Sequence, residues 1–417
     1  MALAQADVVV LGAGMVGVSA ALHAQARGRG VVIIDRAAKA ASETSYGNAG
    51  IVQSEAAVPY MFPRKPVEVA RAALNLDPRV QIRYSSLPSI APWLARYFLA
   101  SSRKRTLASA RAQYALVAHC VPEHNALAEA AGASALLRPT GWIKSFRTAK
   151  GQDLVMAETR RLQSFGVDVR PLDREALRAL EPHISELSIG GVHYASPWAT
   201  NDPAALAQAY AALFVRRGGR FIVGDARSLG EASGGWSVMT IDGSLFAKQA
   251  VVALGPWSSD VLRMFGYRIP LGSKRGYHMH YGATGNSFLN RPVLDSEFGY
   301  MMAPMARGLR LTTGVEFARR DDPPSPAHLE RVEPHARELF PLAERRDPEP
   351  WLGCRPSLPD MLPIIGPAPR HKGLWMDFGH QHLGLTLGPV SGRLLAEMMA
   401  GEKPIVDPAP YSAARFG

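Results

Sequence analysis

The sequence predicts an α/β protein in which a lobe built on a parallel sheet is interleaved with an α+β lobe built on an antiparallel sheet. The first 35 residues carry a strand–helix–strand pattern, which is typical of parallel sheets. Leu271–Phe317 instead alternates apolar and polar residues between Gly, Pro and Asn, which is typical of antiparallel strands. At 417 residues the chain exceeds the usual size of one hydrophobic core, so we expect two lobes.

The chain opens with a Rossmann-like βαβ unit of about 30 residues. Val8–Leu11 predicts a buried strand, Val16–Arg27 a helix, and Val31–Ile34 a second strand that ends at Asp35. Further helices are predicted where apolar residues recur at helical spacing, and strands where β-branched runs lie between turn residues. The helices are Ala91–Ala100, Ala108–Ala131, Gln152–Phe165, one capped by Asp173, one capped by Asp202, and His328–Leu339; the strands include Phe221–Val223 and Gln249–Leu254.

Composition and charge exclude several classes of protein. Hydrophobic residues make up 47% and charged residues 20%, which excludes a disordered chain and a polytopic membrane protein. No stretch has the length and apolarity of a secretory signal, so a cytoplasmic location is expected. The net charge of +11 favours an anionic small substrate or an anionic membrane surface. The basic residues are spread along the chain without a recognition motif, so no nucleic acid partner is predicted.

A glycine motif follows the first strand and opens the first helix. Gly12, Gly14 and Gly17 match G-x-G-x-x-G, and Asp35 lies 18 positions after the last glycine. The glycines allow a tight turn, close approach to a pyrophosphate, and close helix–strand packing. Asp35 is placed to accept hydrogen bonds from ribose hydroxyls, which disfavours NADP. The predicted cofactor contacts here are Gly12, Gly14, Met15, Val16, Gly17, Asp35 and Arg36.

Three further segments favour FAD over NAD. Glu43–Gly50 offers small residues, hydroxyls and an amide, where a nicotinamide-binding domain usually continues into a helix. Ala253–Trp257 and Gly379–Gly384 add glycine-rich approaches far along the chain, so a long cofactor is needed to contact all three. The predicted contacts, with Arg227, are Thr44, Ser45, Asn48, Ala49, Gly50, Ala253, Gly255, Trp257, Gly379, His380, His382, Leu383, Gly384 and Thr386.

These motifs resemble the glycine oxidase/D-amino acid oxidase superfamily of FAD-dependent amine oxidoreductases, most of all the small subunit of D-amino acid dehydrogenase. Gly353–Pro367 and Gly379–Gly401 carry the resemblance toward the C-terminus, so it spans nearly the whole chain. It implies an FAD-binding domain made of residues 1–85, 150–260 and 350–417, and a substrate domain made of residues 86–149 and 261–349.

The resemblance also implies an activity. A D-amino acid is oxidised by hydride transfer from its α-carbon to flavin N5, the imine is hydrolysed, and the electrons pass to a quinone or another acceptor. Three alternatives stay open: a glycine or sarcosine oxidase that uses O2, a dehydrogenase of D-proline or hydroxyproline, and a dinucleotide-binding regulator without turnover. The sequence does not specify the preferred side chain or the oligomeric state.

Three side chains are predicted to act on the substrate. Arg355 matches the family's carboxylate-binding arginine, and a guanidinium can hold a carboxylate through two parallel hydrogen bonds. Tyr277 is a second candidate for the carboxylate, or else a tyrosine that packs in the sheet. His380 lies in the loop expected beside the flavin pyrimidine, where backbone amides and a helix N-terminus stabilise negative charge at N1. Its ring either assists them or fills the loop.

The remaining histidines and the cysteines are assigned no catalytic role. Alternation places His278 and His280 on the strand face opposite Tyr277, so only one of these sets can face a substrate. No metal site is predicted. Some relatives attach FAD to a cysteine in the Arg355 segment, but the following Pro-Asp aligns that position with Gly353 rather than Cys354. Non-covalent FAD is therefore predicted.

The segment from Pro92 to Leu99, followed by the basic cluster Ser101–Arg105, has two interpretations. In one, a helix packs its aromatic residues into the core and exposes its charges. In the other, the aromatic and basic residues form a peripheral contact with the inner face of an anionic membrane, where the electron acceptor is a quinone.

Overall fold

A computed structural model describes residues 4–416, in which most strands belong to two large sheets. The strands are β1 (Ala4–Leu11), β2 (Val31–Asp35), β3 (Ile51–Val52), β4 (Val80–Ile82), β5 (Trp142–Phe146), β6 (Val169–Leu172), β7 (Gly190–Tyr194), β8 (Trp198–Ala199), β9 (Arg220–Ala232), β10 (Gly235–Thr240), β11 (Gly243–Val252), β12 (Gly272–Ala283), β13 (Val293–Asp295), β14 (Met301–Met305), β15 (Gly308–Thr312), β16 (Val315–Phe317), β17 (Leu342–Arg345), β18 (Trp351–Ser357), β19 (Ile364–Pro367) and β20 (Leu374–Phe378). The helices are α1 (Met15–Gln25), α2 (Pro66–Ala73), α3 (Leu87–Ala100), α4 (Arg103–Val117), α5 (Cys120–Ala131), α6 (Ala149–Gln163), α7 (Arg174–Leu180), α8 (Pro203–Arg216), α9 (Ser258–Met264), α10 (Ala327–Leu339) and α11 (Gly384–Ala400).

The smaller sheet is built on the predicted βαβ unit. β1 lies between β2 and β11 and is parallel to both, while β9 and β20 extend the parallel arrangement beyond them. β10 and β19 add antiparallel strands. Val9, Val10 and Leu11 are fully buried because helices and loops cover both faces, which explains the continuous apolar run in the sequence.

Helices α1, α5, α8 and α11 pack on one face of this sheet. α1 and α11 approach closely because Gly388 and Gly392 have no side chains. A Cβ atom on Gly388 would lie 2.7 Å from Met15 Cγ, and one on Gly392 would lie 2.6 Å from the Ala20 nitrogen. This packing brings the N-termini of both helices to the same end of the sheet, where each meets the cavity described below.

The larger sheet has the path β4-β16-β12-β15-β14-β13-β5-β7-β6, with β17 and β18 also paired to β12. β12 is its organising strand, because it pairs with four others. β15 pairs antiparallel with both β12 and β14, which confirms the antiparallel strands predicted for Leu271–Phe317. α7 and α10 contribute to a separate core on this sheet.

The sequence correctly indicated where two helices, α7 and α8, begin. Asp173 accepts a hydrogen bond from the Ala176 nitrogen (2.8 Å) at the start of α7. Asp202 accepts one from the Ala205 nitrogen (2.9 Å) at the start of α8. Both bonds satisfy a backbone donor that the first helical turn leaves unpaired.

Sheet membership departs from the predicted domain boundaries. β4 lies in segment 1–85, β6 and β7 in segment 150–260, and β18 in segment 350–417, yet all of them pair in the larger sheet. Conversely, α4 and α5, from segment 86–149, pack on helices of the smaller sheet. Strand partners are chosen through long-range hydrogen bonding and burial, which a local pattern does not reveal.

Candidate functional site

A cavity of about 1130 Å³ connects the two sheets. Gly12 and Asp35 line one end, at the carboxyl edges of β1 and β2, and Lys274 and Arg355 line the other, on β12 and β18. The carboxyl edge of a parallel sheet is the usual binding place for ligands in α/β folds. The cavity therefore places the predicted dinucleotide and substrate residues in one continuous space.

The glycine motif forms a close-packed cradle at the first end. Gly12 has φ 108°, and a Cβ atom there would lie 2.5 Å from the Ala253 oxygen. A Cβ atom on Gly17 would overlap the Gly12 carbonyl oxygen, so the third glycine serves helix–strand packing. Gly14 caps α1 without a side-chain hydrogen bond of its own, and the Met15 nitrogen donates to Ser45 Oγ (3.1 Å). The N-terminus of α1 has no acidic residue in its first turn, so this end of the helix fits a phosphate group.

Asp35 has a structural role in addition to the predicted one. Its Oδ2 accepts from the Ala13 nitrogen (2.7 Å) and its Oδ1 from the Ala37 nitrogen (2.9 Å), so it fixes the glycine loop from the end of β2. Next to it, the Arg36 guanidinium lies 4.4 Å from the centroid of the Trp257 ring. These side chains join β2 to the Ala253–Trp257 segment.

Hydrogen bonds join the Glu43–Gly50 segment and the strand after it to the C-terminal part of the chain. Thr44 Oγ1 donates to the Cys354 oxygen (3.1 Å), and Asn48 Nδ2 donates to the His382 oxygen (3.3 Å). Thr386 Oγ1 accepts a hydrogen bond from the Gln53 nitrogen (3.0 Å). Segments more than 300 residues apart therefore form one wall of the cavity.

Most of the predicted cofactor contacts line this cavity. The lining ones are Gly12, Gly14, Met15, Val16, Asp35, Arg36, Thr44, Ser45, Asn48, Ala49, Arg227, Ala253, Gly255, Trp257, Gly379, His380, His382 and Gly384. Gly17, Gly50, Leu383 and Thr386 lie behind them instead. Gly50 turns the chain at φ 77°, and Leu383 is fully buried at the cap of α11, so these residues support the wall.

Arg355 lies at the other end of the cavity, on β18. Its Nη1 donates to the Gly314 oxygen (2.7 Å) and its Nη2 is 3.3 Å from the Thr313 oxygen. No Asp or Glu of residues 4–416 lies within 4.0 Å of this guanidinium. Burial lowers the pKa of Arg355 to about 10, which leaves it cationic at neutral pH. The arrangement provides an oriented, half-buried cation that lines the cavity and has no acidic partner among residues 4–416.

Lys274 is a second basic side chain at this end that the sequence analysis missed. It lies directly opposite Arg355 in the β12–β18 pair and is 6% exposed. Its Nζ donates to Tyr97 Oη (2.9 Å), and burial with the Arg355 charge holds its pKa well below the usual value. The strand alternation contained the signal, because it places Lys274 on the same face as His278.

Tyr277 borders the cavity, but its hydroxyl is not available to a substrate carboxylate. Its hydroxyl donates to Glu316 Oε2 (2.7 Å) and accepts from Arg275 Nη2 (2.8 Å) and the Ser325 nitrogen (2.9 Å). Every one of these partners lies away from Arg355, because Tyr277 projects from the opposite face of β12. The geometry therefore favours the alternative interpretation, a tyrosine that packs in the sheet.

His278 and His280 share the other face, with ring centroids 5.0 Å apart. His278 stacks on Trp351 at 4.7 Å, and His280 Nδ1 lies 2.6 Å from Asp347 Oδ2. His278 lines the cavity, whereas His280 belongs to an ion-pair cluster behind it. Within the described chain, no three His, Cys, Asp or Glu side chains are grouped to hold a metal ion.

His380 is buried in the loop before α11. Its Nε2 lies 3.4 Å from Asp377 Oδ1. Burial lowers the pKa of His380 to about 3, so its ring is neutral near pH 7, and burial also raises the pKa of Asp377 well above its usual value. The electrostatic attraction of this wall for an anion therefore comes from the α11 N-terminus, which has no side-chain cap and no acidic residue in its first turn.

Cys354 is directed away from the cavity. It alternates with Gly353 and Arg355 on β18, and its Sγ lies 3.8 Å from the Arg320 oxygen. Gly353 lines the cavity, while neither cysteine of the chain does. A covalent bond between Cys354 and a cofactor in the cavity would require β18 to rotate so that its opposite face bordered the cavity.

Comparison with known proteins gives consistent matches over the whole chain. Residues 7–398 match the family model described as DAO, FAD dependent oxidoreductase. The chain is 30% identical over 419 residues to a D-amino-acid oxidase of Bradyrhizobium diazoefficiens, covering 98% of each. It is 29% identical to D-amino acid dehydrogenase 2 of Mesorhizobium japonicum, covering 96% of this chain and 98% of that one. The fold matches glycine oxidase from Geobacillus kaustophilus with a TM-score of 0.74 at 21% identity, covering 99% of each chain.

Proposed function

Because this chain belongs to the DAO family of FAD-dependent oxidoreductases, we propose that it is a D-amino acid dehydrogenase that holds FAD non-covalently. The observation that carries the proposal is Arg355, an oriented, half-buried cation without an acidic partner in the described chain, in the same cavity as the glycine cradle. FAD held by the Gly12–Gly14 cradle would supply a two-electron acceptor for oxidation of the amino acid to an imine, which water would then hydrolyse. The names of the curated relatives support a D-amino acid as the substrate.

The chain's own residues orient the amino acid and exclude water. Arg355 binds the α-carboxylate, and its bonds to the Thr313 and Gly314 oxygens restrict the guanidinium to one orientation. Tyr60 and Phe62 contribute apolar surface to the substrate end of the cavity. The α11 N-terminus and the backbone amides beside it favour negative charge that develops on the cofactor.

The test is anaerobic reduction of the yellow holoprotein by a panel of D- and L-amino acids. We expect D-amino acids to bleach the visible flavin absorbance and their L-enantiomers to react at least about tenfold more slowly, which corresponds to about 1.4 kcal/mol. Reduction confined to D-proline or hydroxyproline would narrow the substrate class. Reduction by glycine or sarcosine with O2 as an efficient acceptor would identify an oxidase. A flavin that no amino acid bleaches would refute the proposed activity.

The proposed electron acceptor is a quinone, reached from the cytoplasmic side by peripheral contact with the inner face of the membrane. α2 has no buried residue, and Val67 and Leu74 expose 71 and 64% of their surface there. Leu99, at the end of α3, exposes 60% and is followed by the basic start of α4. Trp93 does not contribute, because its Nε1 donates to the Pro270 oxygen (3.1 Å) inside the protein. Among residues 4–416, no helix has the length and apolarity needed to span a bilayer.

Two measurements test this part. Sedimentation should show salt-sensitive binding to vesicles that contain anionic lipid and no binding to neutral vesicles, since each basic residue near the surface contributes about 1 kcal/mol. Replacing Arg103 and Lys104 by glutamate should abolish this binding, and the exposed Lys248→Glu variant serves as the control. Equal binding to both vesicle types would refute the membrane contact. Reoxidation by air at the full turnover rate would refute the quinone.

A further inference from the structure

We propose that Lys274 binds a second acidic group of the substrate, so that the preferred substrates are amino acids with an acidic side chain. Arg355 would hold the α-carboxylate and Lys274 the side-chain carboxylate. This inference rests on the proposed function and specifies the substrate class of the same site.

The first argument is charge. Lys274 and Arg355 are directly opposite in an antiparallel pair, an arrangement that destabilises a sheet when both residues carry the same charge. Neither has an Asp or Glu of the described chain within ion-pair distance. One substrate carboxylate compensates only one of these two basic groups that line the cavity. A second anionic group would compensate both.

The second argument is the direction of the two side chains. The Arg355 guanidinium extends over Gly276, where a Cβ atom would lie 2.5 Å from Nη2, to reach Thr313 and Gly314. The Lys274 ammonium lies instead beside Trp93, which covers Gly272 on the other side of it. Gly272 and Gly276 are each two residues from Lys274, about 7 Å along the strand in opposite directions. The two cationic groups therefore diverge, which suits two carboxylates better than one shared carboxylate.

The third argument is the surroundings of the ammonium group. Its Nζ lies 4.0 Å from the Tyr97 ring centroid and 5.9 Å from that of Phe317, so aromatic surface excludes water on those sides. Tyr97 Oη accepts one of its three hydrogen bonds, and Met361 Sδ, a weak acceptor, lies at 3.4 Å. The Tyr97 hydroxyl donates its own hydrogen to the Tyr60 oxygen. At least one strong donor of Lys274 therefore remains for a ligand in the cavity.

The experiment compares each acidic substrate with its nearly isosteric amide. In the holoenzyme we expect the ratio of limiting reduction rate to Kd to be higher for D-glutamate than for D-glutamine. It should likewise be higher for D-aspartate than for D-asparagine. The expected preference is about 10- to 150-fold, the value of one hydrogen bond to a charged group. Lys274→Met should reduce the preference to below about threefold, because it removes the group that distinguishes the acid from the amide. Lys274→Arg should restore it, and Lys248→Met should leave it unchanged.

A ligand that cannot be oxidised separates this inference from the proposed function. Succinate should perturb the flavin spectrum of the holoprotein at a concentration at least about tenfold below succinamate, and Lys274→Met should abolish the difference. That result supports the Lys274 site even if no amino acid reduces the flavin. Equal binding of succinate and succinamate to the unmodified protein would overturn the inference. An equal loss for acids and amides in Lys274→Met would also overturn it, since Lys274 would then share the α-carboxylate.

Discussion

Replacing Arg355 with alanine tests the carboxylate site most directly. The guanidinium is half-buried, lacks an acidic partner within the described chain, and is oriented by the Thr313 and Gly314 oxygens. In the complex it forms a buried charge pair with the substrate, and removing one member of such a pair costs about 2–5 kcal/mol. The limiting reduction rate divided by Kd should therefore fall by about 30-fold to several thousand-fold.

The assay is anaerobic rapid-mixing reduction of protein whose FAD content has first been measured. FAD should remain bound, because Arg355 lies at the opposite end of the cavity from the glycine cradle. Arg355→Lys should recover only part of the loss, since an ammonium cannot form two parallel bonds to a carboxylate. Gly276→Ala should also slow reduction, because its Cβ atom would displace the guanidinium.

The control is Arg170→Ala, which removes an arginine that is 63% exposed and should change the ratio by less than about twofold. If Arg355→Ala lowers the ratio by less than about threefold while FAD stays bound, the carboxylate is held by another group. Loss of FAD from Arg355→Ala would show that the two ends of the cavity are not independent.

Three further predictions concern stability and cofactor attachment. Tyr277→Phe should change the flavin reduction rate by less than about threefold. It should lower the free energy of unfolding, measured by urea denaturation, by about 1–3 kcal/mol, because Glu316 and Arg275 lose a buried partner. A large loss of activity at unchanged stability would instead place Tyr277 in the substrate site. Acid precipitation should release FAD into the supernatant, because Cys354 faces away from the cavity, and colour retained in the pellet would contradict this. Burial raises the pKa of Glu55 to about 7 from 4.5, so between these values the folded state keeps a proton that the unfolded state has lost, and stability falls as pH rises. In Glu55→Gln, the free energy of unfolding should fall by up to about 3 kcal/mol less between pH 5 and 7.5 than in the unmodified protein. If the free energy of unfolding depends on pH identically in the two proteins, Glu55 does not have the raised pKa.

The local sequence determined those features that depend on short-range geometry. The βαβ unit and the glycine motif were predictable because turn, helix and strand each impose their own spacing and conformational limits on neighbouring residues. Asp173 and Asp202 were identified as caps because a side-chain acceptor satisfies a donor only three residues away. Arg355 was identified by the motif around it, and the alternation of β12 correctly separated His278 from Tyr277.

The tertiary structure alone decided which residues meet in the site. Alternation defines two faces of β12 but not which one borders the cavity, and pairing with β18 and β16 turned Lys274 inward and Tyr277 toward Glu316. The same long-range pairing placed β18 in the larger sheet and carried Gly17 and Thr386 behind the cavity wall. A strand's period is set by its own backbone, whereas its partners and its buried face are set by residues hundreds of positions away.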